Sequence, residues 1–253
     1  ISKVEATRGY GAEICLVEGV YDDAYKRAIE LRDEMGYTFI HPFDDIDVIA
    51  GQGTIALEIL EQFQDVDTVL VPVGGGGLCS GVAFTLKQLK PNVKVYGVQA
   101  DGASGMCKAF TEKQSVTLDK VSTFADGIAV KRPGDLTREL CCKYVDGMLT
   151  VSDDEIASAI LTLMEKQKLV AEGAGAVGVA AVLAKKLDIS GKKVCAVVSG
   201  GNIDVNILSR VINRGLLSSG RVAELKIAML DKPGQLREVS AIIADCGANV
   251  IQV

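Results

Sequence analysis

A single histidine, His41, among 253 residues excludes a poly-histidine metal centre and leaves one imidazole for any catalytic triad. Lysine and arginine form no run with interleaved aromatics, and 27 basic side chains stand against 33 acidic ones for a net charge of −6. That balance argues against nucleic-acid binding and favours small-molecule partners. No apolar stretch reaches membrane-spanning length and none reads as a signal peptide. The seven cysteines are odd in number, scattered through mostly apolar runs and without a Cys-x-x-Cys pair. They read as reduced core residues of a cytoplasmic protein, with neither zinc nor dithiol chemistry. An initial methionine is also lacking and Val253 falls inside a strand-like run, so the sequence is expected to be a fragment.

What is present is an apolar run, Val69 to Val73, that empties into four consecutive glycines, Gly74 to Gly77, and then into a helix-like segment from Leu78 to Lys87. Without Cβ atoms, successive glycines can turn several backbone N–H groups onto one concave point. The helix that follows adds unpaired N–H groups and a positive dipole end, so a phosphate can be held without a lysine. A flexible turn is the plain alternative, but the place between a buried-type strand and a helix start favours a phosphate loop. No Gly-Lys-Ser/Thr follows, which removes the Walker-type nucleotide loop. A dinucleotide fingerprint is the closer rival, because Asp101 follows the next strand where a ribose-binding acid would stand. Its spacing fails at Ser80, which takes the place of the third small residue, with Gly81 one position late.

Elsewhere strand and helix alternate. Strands are expected over 11–18, 37–40, 69–73, 93–98, 144–150 and 193–198. Helices are expected over 21–35, 54–63, 78–90, 101–113, 152–164, 175–186 and 204–213, with loops around 51–54 and over 114–135. Ser152 to Glu155 reads as a capping box. Such alternation predicts an α/β fold, three layers (αβα) around a mostly parallel sheet. Ligands in such sheets sit at the carboxyl ends of strands, where both Gly74 to Gly77 and Ser199-Gly200-Gly201-Asn202 fall. The rhythm breaks at 216–221, read as a linker. Beyond it, 222–230 alternates like a strand, 235–244 is helical and 247–253 begins a second strand, half of a small α+β module with too little core to stand alone.

Taken together, Gly74 to Leu78, Ser199 to Asn202, Glu172-Gly-Ala-Gly175, Phe124-Ala-Asp-Gly127 and His41-Pro-Phe-Asp-Asp45, in this order and spacing, resemble the threonine dehydratase (threonine ammonia-lyase) family. That family consists of fold-type II pyridoxal-phosphate enzymes, similar in fold to serine racemase and the tryptophan synthase β chain. The resemblance covers residues 1 to about 215, while 222–253, with Asp231 to Leu236, look like the first half of an ACT domain. It implies a catalytic domain over 1–215 (1–40 the tail of a small subdomain, 41–215 the large one), a linker over 216–221 and a partial ACT, or ferredoxin-like, module over 222–253.

The resemblance also implies pyridoxal 5'-phosphate as cofactor, its phosphate held by the backbone amides of Gly74, Gly75, Gly76, Gly77 and Leu78. It places Ser199 at the pyridine nitrogen and Glu172 beside the ring. From the residues alone, the plain alternatives are a strand-end serine in a turn for Ser199, the weaker of its two readings, and an acid meeting a helix dipole for Glu172. A hydroxyl at the ring nitrogen makes a weaker electron sink than an aspartate, which suits β-elimination. The reaction implied converts L-threonine, and L-serine, to ammonia and a 2-oxo acid; another fold-type II enzyme such as serine racemase, or a nucleotide-binding regulatory protein, is the alternative. The family's Schiff-base lysine belongs to a Ser-x-Lys-x-Arg motif expected upstream, so no catalytic residue is assigned within this span and the span alone is expected to be inactive. Acids that bind a cation in serine racemase are matched here by Gln99 and Gly105, so no metal site is expected. An amino-acid effector at the ACT module, homo-oligomeric assembly and a cytoplasmic location are implied in the same way.

Overall fold

The computed structural model describes residues 2–18 and 21–251. Its strands are β1 (Thr68–Pro72), β2 (Lys94–Ala100), β3 (Gly147–Val151) and β4 (Val194–Ala196). Its α-helices are α1 (Ser2–Gly9), α2 (Tyr21–Met35), α3 (Ile46–Gln62), α4 (Gly77–Leu89), α5 (Gly105–Glu112), α6 (Asp135–Tyr144), α7 (Asp153–Thr162), α8 (Gly173–Leu183), α9 (Val205–Ser218) and α10 (Gln235–Asp245).

The described strands form one sheet in the order β3-β2-β1-β4, with all neighbours parallel. β1 is buried along its whole length, as a central parallel strand covered on both faces must be. Its side chains alternate between two cores. Val69 and Val71 pack with Ala56 of α3 and Val82 and Leu86 of α4. Leu70 points the other way, into a cluster with Ile156 and Ile160 of α7, Val177 and Ala180 of α8 and Val211 of α9. Three αβα layers follow directly from that alternation. The chain leaves β1 toward β2 and β3 and returns on the other side of β1 as β4, so the order reverses between β1 and β4. A crevice opens at the carboxyl ends of two such strands.

Several elements differ from the sequence expectation. Residues 12–17 and 36–40 form no strand. Leu16 is 72% exposed and Ile40 69%, and β-propensity expresses packing on a half-buried surface that these residues lack. The same holds for 222–230 and 248–251, which carry no ladder; Gln252 and Val253 of the second expected strand lie outside the described residues. α10 forms as expected. α9 continues through Ser218, so the break falls later than residue 216. The loop expected around 51–54 is instead the interior of α3, which is capped by Asp45, whose carboxylate accepts the N–H groups of Asp47 and Val48. The capping box at α7 is present in both directions: Ser152 Oγ accepts from Glu155 N at 3.2 Å, and Glu155 Oε2 from Ser152 N at 2.7 Å. Cys15 and Cys246 are exposed rather than in the core. No helix among the described residues is long and apolar enough to cross a membrane.

One ion network ties α4 to two strands of the sheet. Asp146, just before β3, receives Lys87 Nζ of α4 at 2.7 Å, Lys94 Nζ at 2.9 Å and the Val95 N–H of β2 at 2.8 Å. Burial by itself would raise this carboxyl, but the hydrogen bonds from Lys87, Lys94 and Val95 outweigh it and hold the pKa below the ordinary carboxylate range. A depressed carboxyl stabilises the fold above its unfolded value, about 3.9, and that contribution is lost as pH falls through the lower folded value. Asp146→Asn is expected to cost about 1–2 kcal/mol at neutral pH. Urea unfolding should show the gap to the parent protein closing in acid; a gap of constant size from pH 7 to pH 3 would contradict this.

Candidate functional site

β1 delivers the chain into Gly74, Gly75 and Gly76, and α4 begins at Gly77. Gly76 is the helix N-cap with φ 105° and ψ −7°, a left-handed conformation that only glycine adopts without strain. Gly75 has no room for a side chain, because a Cβ there would lie 2.3 Å from the Phe43 ring. The N–H groups of Gly75 and Gly76 donate to no protein acceptor among the described residues. The sequence-predicted concavity therefore exists, with the positive end of α4 behind it.

The loop just before α3 shapes this cradle. His41 Nδ1 accepts the N–H groups of Phe43 at 3.2 Å and Asp44 at 2.8 Å, so the only imidazole of the chain is spent on holding a turn. The turn sets Phe43 against the glycines and points Asp44 and Asp45 at two different helix N-termini, α6 and α3. His41-Pro-Phe-Asp-Asp45 is thus a structural clasp in which each polar side chain satisfies orphan backbone donors.

The opposite wall comes from α8 and the turn after β4. The Glu172 carboxylate, at the N-cap of α8, lies where a Cβ on Gly200 would be 2.5 Å from Oε1, and one on Gly127 3.4 Å away. Glu172 N donates to the Gly200 carbonyl at 3.1 Å, which fixes the Ser199-Gly200 turn over the start of α8. Ser199 is exposed toward a cavity of about 750 Å³, and Gly74, Gly75, Gly76, Gly77, Leu78 and Glu172 line that same cavity. All seven sequence-predicted site residues are therefore brought together at the β1/β4 crevice. Asp101 is not: it is exposed in a turn after β2 and does not line the cavity, which removes the observation that a dinucleotide site needed. Gln99 is buried, with its amide donating to the Val73 carbonyl at 3.2 Å and accepting from Cys107 N at 2.8 Å. The sequence reading gave no role to Ile128, Ala129 and Val130, which form an apolar wall beside Gly74; no local pattern distinguishes them from any short apolar run.

Phosphate is the group such a cradle takes, and the space beyond it accommodates a ring and a small substrate, within the size range of cofactor pockets. The class is thus an α/β fold that opens a crevice at a topological switch point, floored here by a glycine cradle suited to phosphate. The sequence matches the family described as pyridoxal-phosphate dependent enzyme over residues 1–200, and the chain belongs to that family. The L-threonine ammonia-lyase of Thermotoga maritima is 52% identical over 253 residues, all of this chain and 63% of that protein. The processed form of threonine deaminase isoform 2 from Solanum lycopersicum superimposes with a TM-score of 0.79 at 38% identity, covering 84% of this chain and 63% of that one. Maize serine racemase superimposes with a TM-score of 0.79 at 33% identity, over 85% of this chain and 68% of that one. The chain spans 63% and 62% of the two curated ammonia-lyases it matches first.

Proposed function

We propose that the protein carrying this chain deaminates L-threonine, and L-serine, by β-elimination, releasing ammonia with 2-oxobutanoate or pyruvate. The observation that carries this reading is the 52% identity to an L-threonine ammonia-lyase across all 253 residues. Pyridoxal phosphate, when bound, supplies the electron sink that stabilises negative charge at the α-carbon of the amino acid. The residues of this chain hold and orient it. The N–H groups of Gly74, Gly75, Gly76, Gly77 and Leu78 take the phosphate, the Ser199 hydroxyl meets the pyridine nitrogen and Glu172 stands beside the ring. Their common lining of one cavity supports these roles. Among the lining residues the only lysine is Lys131, exposed in a loop, and we assign no Schiff-base lysine within this sequence.

The same reading divides the chain into a catalytic domain over 1–215 and the opening of an ACT module over 222–253. Leu225, Leu230, Ile242 and Ile251 stay at least 63% exposed, an apolar surface suited to packing against the remainder of such a module. An amino-acid effector there, a homo-oligomeric assembly and a cytoplasmic location belong to the proposal.

The test is an absorbance spectrum of the intact protein with and without L-threonine. A visible cofactor band that changes on addition of threonine, followed by 2-oxobutanoate, is the expected result. D-serine formed from L-serine without a 2-oxo acid would move the protein to the racemases, and the absence of a band would refute both.

A further inference from the structure

α6 begins without a cap of its own, because its N-cap residue is Gly134. Asp44 supplies the cap from 91 residues away: its carboxylate accepts the N–H groups of Asp135 and Thr137, each at 3.0 Å. Gly134 makes this possible, since a Cβ there would sit 2.1 Å from Asp44 Oδ1. The N-terminus of α6 is therefore fixed to the His41–Asp45 clasp, and it carries two donors toward the glycine loop. Thr137 Oγ1 donates to the Gly75 carbonyl at 2.6 Å, and Gly134 N donates to the same oxygen at 3.2 Å. Thr137 is fully buried and does not line the cavity.

The peptide plane converts that pin into an aim. In a trans peptide the N–H of Gly76 points opposite to the C=O of Gly75, so holding the carbonyl toward α6 holds the N–H away from it, on the cavity side. The left-handed dihedral of Gly76 keeps the next N–H, that of Gly77, at the start of α4. We infer that Thr137 is a positioning residue for cofactor phosphate: with Asp44 aligning α6 beneath it, it orients the Gly75–Gly76 peptide so that its N–H faces the phosphate. The inference rests on the reading of Gly74 to Gly77 as the phosphate loop. Thr137 touches no ligand itself, and removal of its hydroxyl leaves the Gly75 carbonyl with the Gly134 N–H as its remaining donor and the peptide less firmly held.

The test uses the intact protein and two probes, pyridoxal 5'-phosphate and pyridoxal, which differ only in the phosphate. Equilibrium titration gives the affinity ratio between them, which isolates the phosphate contribution. In Thr137→Val, which keeps the shape and removes the hydroxyl, the ratio is expected to fall about tenfold or more, with pyridoxal affinity held within about twofold. Thr137→Ser, which restores the hydroxyl, should return the ratio to within about threefold of the parent. Asp44→Asn, at a half-buried position, provides a second variant should the valine fail to fold, and its ratio is expected to move in the same direction. Equal losses for both probes, or a ratio that neither substitution changes, would overturn the inference. A parent protein that does not distinguish the two probes would instead overturn the phosphate-loop reading on which the inference stands.

Discussion

Replacing Gly76 with alanine is expected to lower the affinity of the intact protein for pyridoxal 5'-phosphate by about a hundredfold, equivalent to ~3 kcal/mol. Two effects combine. The first is conformational: at φ 105° an alanine is strained, and relief requires rotating the residue toward negative φ. Rotation swings the flanking N–H groups off the point on which they converge. The second is steric, because the new Cβ would lie 2.6 Å from Met106 Cε and 2.8 Å from Thr137 Cβ. Met106 is flexible and can give way, but Thr137 is held by its bond to the Gly75 carbonyl, so the strain returns to the loop. Titration with pyridoxal 5'-phosphate measures the loss, and an affinity within threefold of the parent would show that the dihedral of Gly76 does not set the cradle.

Which parts of this site were legible in the sequence follows from where their causes lie. The glycine run and the Ser199-Gly200-Gly201 turn announce themselves because clustered glycines are a local pattern: Gly76 needs a left-handed dihedral, and Gly75, Gly200 and Gly201 lie where a Cβ would strike Phe43, Glu172 and the Val170 carbonyl. The continuous apolar run of β1 is likewise local, and it reads as the buried-type strand that the structure shows. Thr137 carries no local signal at all. Its role exists only because Asp44 caps α6 across 93 residues and brings a hydroxyl to the Gly75 carbonyl. His41 is the reverse case: histidine suggests chemistry, yet its ring accepts two backbone N–H groups two and three residues ahead. The unformed strands at 12–17 and 222–230 misled because period-2 apolar patterns state a capacity to pair, and pairing requires a partner edge.

The glycines near residue 51 show the same limit most sharply, and they lead to the largest expected effect on stability. Gly51 and Gly53 read as a loop because glycine usually interrupts helices. In the structure they lie within α3, which crosses α4 so closely that a Cβ on Gly81 would be 2.2 Å from the Ile49 carbonyl and 2.7 Å from Gly53 N. Both obstacles are backbone, so neither can rotate aside; the helices themselves must separate, opening the core formed by Ala56, Val82 and Ala83. Gly81→Ala is expected to cost about 3 kcal/mol or more, a fall of about 10 °C in Tm. Gly53→Ala meets chiefly Thr85 Oγ1, at 2.6 Å, and the Gly81 carbonyl at 3.3 Å, of which the first can change rotamer. Its penalty is smaller because that side chain can turn aside; the gain of about 1 kcal/mol for alanine over glycine in a helix interior applies at both positions. Gly51 has nothing within 4 Å of a Cβ, so there that gain stands alone and the substitution stabilises. Thermal unfolding of the three variants should therefore rank them 81, 53, 51 from least to most stable. If Gly81→Ala proves no worse than Gly53→Ala, the two helices do not meet backbone to backbone, and the position of α4, and with it the glycine cradle at its start, must be set by something other than this crossing.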